Sequence, residues 1–533
     1  MAQLTTPVSD PSADNENIIS DLTDLPHDIF LLIISYLSPA ESILCRRVSQ
    51  SWKATFTSYD VSWSLMKWHF SRAREMRNAV AAPDWAHIFP KVARRYFHLR
   101  SAKPSRIQKI DIAPKEREDL LLFLAVEPWF RWLRWNDAVG TFQHRDLSWC
   151  LEDSLLIYRE STERYAAYDL ETGLRFSVPF DGTDKIVRRL RLAQGTLVIE
   201  WCEQLPFIYS FDLGTSIHWH FATAFDIRRL TDSKGFAMTG SWEIRFRCEW
   251  KLHRSGLSID RNTRFFSAHT STHYALYIWH YNGLHEAPPR EELTIWEIGD
   301  TPSHCSPEGP AGVKIHDTAQ SQPRVIKTFM ERELAFLGIR QYQTPALREI
   351  FLDEANVYTH EEGHPWLTGP HSPRVLRRHH HVRSTGFPFL GVGPRWFDQC
   401  CANGTINLNF CPRVGSAARR SSSKQGSALD YFERKWAGWA PCWRHEEFPY
   451  LTISHVVDEG AGVRIAARQC LVVETLSSFV FPKISLRAEP DEAHEVHFAD
   501  DMWKQLLGKG KIMGDERWVV GEDGSGSITI VYF

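Results

Sequence analysis

Residues 25–52 read LPHDIFLLIISYLSPAESILCRRVSQSW. Leu25, Ile29, Ile33 and Leu37 recur every four residues, which lines one face of a helix with aliphatic side chains. Pro26 stands where a first helical turn tolerates a missing amide, and Asp28 suits the positive end of that helix. The second helix opens at Ser38-Pro39-Ala40-Glu41, with Ser38 as N-cap, Pro39 as the first helical residue and Glu41 completing a capping box. Leu44, Val48, Trp52 and Phe56 keep the spacing of four, so a single second helix is expected through Phe56. A helical hairpin this small buries little apolar surface alone, and its aliphatic face calls for a partner.

The same residues resemble an F-box, without a gap. Leu25-Pro26 matches the family's opening Leu-Pro, and Ile33 with Ser35-Tyr36-Leu37 its Ile-x-x-Tyr-Leu segment. Pro39 matches the proline that follows, Val48-Ser49 and Trp52 the Val-Ser-x-x-Trp, and Trp63 the tryptophan that often ends the motif. Cys45 and Arg46-Arg47 depart from the usual leucine-rich register. The resemblance implies docking to the S-phase-kinase-associated adaptor of a cullin-RING ubiquitin ligase, with Leu25, Pro26, Ile29, Ile33, Leu37, Val48 and Trp52 as the adaptor-contacting residues.

Length and composition place these helices in a larger molecule. A chain of 533 residues exceeds one core and predicts several domains. Its 43% hydrophobic and 24% charged residues are those of a folded protein, and a net charge of −3 argues against a globally basic nucleic-acid binder. The 21 Trp and 31 Phe suit pleated sheets. No run approaches the ~18 apolar residues of a membrane span. The first twenty residues carry neither Lys nor Arg nor an apolar run, so no secretory signal is read and the ten cysteines are expected as reduced thiols in cytoplasm or nucleus.

Along the chain, residues 1–20 read as a disordered acidic tail, 21–63 as the F-box, 64–118 as a helical linker and 119–533 as a β-rich domain. Arg94 to Leu99 followed by Lys103-Pro104 resembles a stretch found after the box in fungal F-box proteins. From about residue 140, short β-like runs alternate with turns. Tyr168-Asp169-Leu170 is echoed by Phe211-Asp212-Leu213, and Ile295 to Gly299 lies near twice that interval further on. Such spacing is the length of a four-stranded propeller blade, which predicts a β-propeller of about six to eight blades. Arg517–Val520 and Ser527–Phe533 read as a terminal hairpin placed to close it, and residues 300–324 and 411–429 as loop insertions. An irregular β-rich sandwich is the other architecture this texture allows.

Chemistry is hard to find. His379-His380-His381 sits among Arg377, Arg378 and Arg383 like an exposed basic loop, since adjacent side chains on extended backbone point apart. Cys400-Cys401, Cys411 and Cys442 lack zinc-site spacing, and His494 and His497 have no third ligand nearby in sequence. Gly391-Val392-Gly393 is followed by Pro394, which removes an amide that a phosphate loop needs. No hydrolase elbow or nucleotide loop occurs, so no catalytic, cofactor or metal residue is assigned and the chain reads as non-catalytic. Lys91, Arg94, Arg95, Arg100, Lys103, Arg106 and Lys109 run without an acid, which reads as a solvated helical face ahead of a phosphate contact. The implied function is a substrate receptor holding the adaptor at its F-box and a target protein at its β domain. An F-box scaffold that binds the adaptor alone is the alternative.

Overall fold

The computed structural model describes residues 22–78, 83–112, 147–203, 205–206, 208–210, 215–231, 237–258, 263–281, 288–299, 323–342, 347–363, 381–390, 442–444, 450–458, 460–470, 483–488, 496–499, 501–508 and 510–533. The acidic tail, both loop insertions and Phe211-Asp212-Leu213 lie outside these residues, apart from Pro323 and Arg324.

The chain begins with helices α1 (His27–Ile34), α2 (Pro39–Cys45), α3 (Gln50–Phe56), α4 (Tyr59–His69), α5 (Arg74–Arg77) and α6 (Trp85–Ser101). The second helix expected from sequence is in fact two. Ser49 is extended (φ −154°) and its Oγ accepts the Trp52 amide at 3.1 Å, capping a new helix. The Ser49-x-x-Trp52 pattern is therefore a start signal inside an apolar row whose period looked continuous.

Strand β1 (Arg106–Asp111) follows, within the segment expected as helical linker. It pairs antiparallel with the last strand of the chain, and its weak alternation of Ile107 and Ile110 left no clear strand signature in the sequence. The described residues form six four-stranded sheets and one of three strands. Sheet 1 holds β2 (Trp149–Glu152), β3 (Leu155–Arg159), β4 (Tyr165–Asp169) and β5 (Arg175–Ser177). Sheet 2 holds β6 (Lys185–Ala193), β7 (Thr196–Glu203), β10 (His220–Thr231) and β11 (Ala237–Lys251). An inserted hairpin, β8 (Ile208–Ser210) and β9 (Thr215–His218), pairs with β12 (Leu257–Ser258) as a three-stranded extra sheet. Sheet 3 holds β13 (Thr263–His269), β14 (His273–His280), β15 (Arg290–Glu297) and β16 (Arg324–Met330). Helix α7 (Glu331–Leu337) leads to sheet 4, of β17 (Leu347–Leu352), β18 (Asn356–Gly363), β19 (His381–Pro388) and β20 (Cys442–Arg444). Sheet 5 holds β21 (Tyr450–Asp458), β22 (Val463–Cys470), β23 (Lys483–Ala488) and β24 (Val496–His497). Helix α8 (Met502–Leu506) precedes sheet 6, whose β25 (Ile512–Gly514), β26 (Trp518–Glu522) and β27 (Ser527–Tyr532) are completed by β1.

Each sheet is an antiparallel meander in chain order, β1 excepted. First strands of neighbouring sheets pack together between sheets 1 and 2, 2 and 3, 3 and 4, 5 and 6, and 6 and 1. Apolar clusters fill these junctions, such as Leu190, Ile199 and Phe225 against Cys150 and Ile157 between sheets 2 and 1. Asp169 and Glu297 both end third strands, and the echo at residues 211–213 lies outside the described residues.

The helices share one core with sheets 5 and 6. Phe30, Ile34, Phe56, Leu65, Phe89 and Leu99 join Val463, Ile465, Leu486, Leu506 and Val531 in a single buried cluster. At its edge the fully buried Glu516 carboxylate, in the β25–β26 turn, accepts the Arg74 amide at 2.9 Å, Arg95 Nη2 at 3.0 Å and the Tyr96 hydroxyl at 2.6 Å. Arg95 also grips Glu75 with two bonds of 2.8 and 2.7 Å. Burial opposes the Arg95 charge, but the Glu75 bonds and the Glu516 charge hold its pKa above the ordinary value. Alongside, Arg74 meets Asp153 at 2.5 Å and Arg77 meets Asp458 at 3.3 Å, while Arg517 gathers Asp515, Asp153 and Glu171.

Two predictions follow from this packing. Glu516→Ala strands a buried guanidinium and hydroxyl and is expected to remove about 3–5 kcal/mol of unfolding free energy in urea; a loss below about 1 kcal/mol would deny Glu516 this role. The second concerns acid. Burial pushes His220 down to about 3 and His269 to about 4, so the unfolded imidazoles take protons near pH 6.5 that the folded ones refuse. Stability is therefore full above about pH 6.5 and falls towards pH 4, by up to about 1.4 kcal/mol per pH unit for each histidine. Thermal midpoints across that range check it, and a flat profile would contradict it.

Candidate adaptor-binding surface

The capping box at Ser38 forms as the sequence predicts. The Glu41 amide donates to Ser38 Oγ at 3.3 Å, and the Ser38 amide donates to Glu41 Oε2 at 2.7 Å. This double tie satisfies two free amides at the start of α2. Phe30 and Ile34 turn inward from α1, Phe30 edge-on to Phe56 at 5.6 Å. Leu25 precedes α1 and Leu37 follows it, so only Ile29 and Ile33 of the four-residue row lie on that helix.

The seven residues expected to contact an adaptor divide accordingly. Pro26, Ile29, Ile33 and Val48 are exposed, Val48 by 63%. Leu25, Leu37 and Trp52 are half-buried and pack against the common core, Trp52 stacking on Phe56 at 5.8 Å. They hold the helices together instead of facing outward. The exposed face has three members the candidate set omitted, namely Leu32, Tyr36 (84% exposed) and Leu44. Leu32 and Tyr36 lie three residues beyond Ile29 and Ile33, so mixing spacings of three and four would have found them. The outcome is an apolar surface over α1, the α1–α2 turn and the end of α2 that no described residue of the core covers.

Arg46 has a structural account. Pro90 lies inside α6 and has no amide, so the Ala86 carbonyl one turn earlier loses its helical donor. Arg46 Nη1 donates to that carbonyl at 3.0 Å, with the guanidinium 5.6 Å from the Phe89 ring centre. Burial pushes its pKa down. The departure from leucine in this register thus bolts α2 to α6.

Elsewhere the candidates stay apart. Among the described residues no group of His, Cys, Asp and Glu is arranged to hold a metal, and no helix is long and apolar enough to cross a membrane. His379, His380, Cys400, Cys401, Cys411, His494 and the Gly391 loop lie outside the described residues; Cys442 and His497 sit in β20 and β24. The basic run is no single face: Lys91, Arg94 and Arg100 are exposed on α6, Arg95 is turned inward, and Arg106 and Lys109 belong to β1.

Residues 22–63 match the family model of the F-box domain. The chain carries an F-box domain. The F-box core is continuous with the rest of the molecule through α4 and α6, so its exposed face is held at a set angle to the sheets. A search of curated proteins returns no match. Among solved structures, a chain of the mitotic checkpoint complex is 6% identical with a TM-score of 0.32, covering 81% of this chain and 96% of that one. The computationally designed Ika8 protein is 9% identical with a TM-score of 0.25, covering 74% and 98%. At such scores the architecture rests on the strand pairing described above.

Arg46→Ala leaves the half-buried Ala86 carbonyl without its donor and removes the packing of the guanidinium on Phe89, and is expected to cost about 1–3 kcal/mol. Arg47→Ala, at an exposed neighbour, is expected to stay within about 0.5 kcal/mol. Urea unfolding of the two variants checks the pair, and equal losses would break the account.

Proposed function

We propose that this chain is the substrate-recognition subunit of an SCF-type cullin-RING ubiquitin ligase. The F-box binds the S-phase-kinase-associated adaptor, and the β domain holds a target protein. The observation that carries the reading is the exposed aliphatic surface of Ile29, Leu32, Ile33, Tyr36, Leu44 and Val48 on an F-box domain, since contiguous apolar patches of this kind mark interaction sites. Pro26 belongs to the same face. Leu25, Leu37 and Trp52 support the contact from beneath.

The six four-stranded meanders are read as blades of one propeller ring, clasped where β1 joins β25–β27. The chain supplies proximity and orientation, and the ubiquitin-transfer chemistry belongs to other subunits. Its work is placed in cytoplasm or nucleus, and neither cofactor nor metal enters the reading.

The test is co-expression with the adaptor and cullin. Wild type is expected to co-purify both, and a Leu32→Glu, Val48→Glu double variant to lose both while its thermal midpoint holds, because neither side chain is in the core. Adaptor without cullin would replace the receptor by an F-box scaffold. A folded wild type that binds neither would end the reading.

A further inference from the structure

At one edge of the core between sheets 3 and 4, a buried tryptophan carries three less buried side chains towards the surface. Arg264 lies near the start of β13, directly opposite Trp279 of β14, with its guanidinium carbon 5.5 Å from the indole centre. The buried Trp279 stacks on Tyr281 at 6.3 Å with 12° between the rings, and its Nε1 donates to the Tyr342 carbonyl at 2.7 Å. Tyr342 sits in the connection between the two sheets.

Tyr342 is held in an unusual conformation. Its φ of 54° lies in the left-handed region, where a residue with a Cβ is strained by on the order of 1–2 kcal/mol. The backbone is pinned on both sides, the carbonyl by Trp279 and the amide by Glu291 Oε1 at 2.8 Å. So restrained, the ring is 56% exposed, with the Arg340 guanidinium 5.0 Å from its centre. An exposed aromatic on so restrained a backbone loses little freedom when a partner covers it.

The two arginines differ in one respect. Arg340 meets Glu331 at 2.8 Å and Glu291 at 3.5 Å. Arg264 is half-buried, and among the described residues no carboxylate pairs with it. Burial alone pushes its pKa down to about 10. A cation partly stripped of water, without a counter-charge and laid against an indole, is complementary to an incoming anion.

Topology places the group on the free end of the β domain. Four antiparallel strands return the chain to the end where it entered, so the start of β13, the end of β14 and the connection into β17 share one end. Glu516, Asp153 and Asp458, which anchor the helices, all lie at turns between first and second strands, at the opposite end.

We propose that Arg264, Tyr281 and Tyr342, backed by the buried Trp279, form a docking site for an acidic peptide segment of a partner protein. An Asp or Glu carboxylate pairs with Arg264, and a neighbouring apolar side chain lies on Tyr342. Arginine, tryptophan and tyrosine are the residues that dominate interface hot spots, and the charge complementarity selects the acidic partner. The proposal rests on the reading of the β domain as a target receptor, and names the chemistry it reads.

The test is selection of random twelve-residue displayed peptides on the immobilised full chain, followed by fluorescence polarisation with the enriched peptides. Enrichment in Asp and Glu is expected, with binding weakened about tenfold or more by Arg264→Gln and by Tyr342→Ala while thermal midpoints hold. The exposed Tyr342 gives a second variant independent of the half-buried arginine. No acidic enrichment, or equal affinity for both variants and wild type, would overturn the site. Adaptor pull-down on the same proteins separates the two failures: retained adaptor with Arg264-independent peptides sinks only this site, and lost adaptor in wild type sinks the receptor reading.

Discussion

A single carboxylate decides how the two halves of this molecule sit together. Glu516 is taken wholly out of water, which is tolerable only because an amide, a guanidinium and a phenol converge on its two oxygens. The donors come from α5 and α6 and the acceptor from the β25–β26 turn, so the network forms only when helices and sheets meet in one geometry. Apolar packing alone fills the space beneath without dictating the angle. The hydrogen-bonded network does dictate it, because its bonds to Glu516 are lost when donor and acceptor separate by little more than half an ångström.

The arrangement has a direction. The F-box helices are carried at the end of the sheets where first strands turn into second strands. The connections between sheets emerge at the other end, where chains of this architecture are free to vary. Arg46 serves the same rigidity from within the helices, since its bond to the carbonyl freed by Pro90 makes a helix defect into a joint. A partner on the aliphatic face and one on the far rim would thus be separated by a nearly incompressible body.

Much of this was legible in the sequence, for reasons that can be named. The capping box at Ser38 is a local pattern of four residues, and it forms as read. The runs Leu155–Tyr158, Thr196–Trp201, Tyr274–Trp279 and Leu347–Leu352 read as strands and fall in β3, β7, β14 and β17, because aliphatic and aromatic runs bounded by turns need no distant information, whereas β6, β10, β13 and β16 gave no such signal. The failures are non-local. Leu25, Leu37 and Trp52 share their residue types with the exposed row, and only the fold reveals which side each faces. Nothing in Arg106-Ile-Gln-Lys-Ile-Asp announces a strand, since its partner lies at the other end of the chain. The basic run likewise dissolved once Arg95 was seen turned toward two glutamates. Arg264 carried no signal at all, for its distinction is that no carboxylate among the described residues pairs with it.

The pairing of β1 with β27 sets a timetable for biosynthesis. Ser105 and its bonding partner Tyr532 are separated by 427 residues. At about 5–20 residues per second, a ribosome needs on the order of half a minute or more to supply that partner. Throughout the wait Arg106–Asp111 is a strand without a neighbour, the kind of edge that invites illegitimate pairing between nascent chains. Its composition suits the delay: Arg106, Lys109 and Asp111 put charge along a six-residue strand that holds only two isoleucines. The segment waits as a soluble tether, and becomes structure only when the end of the chain arrives.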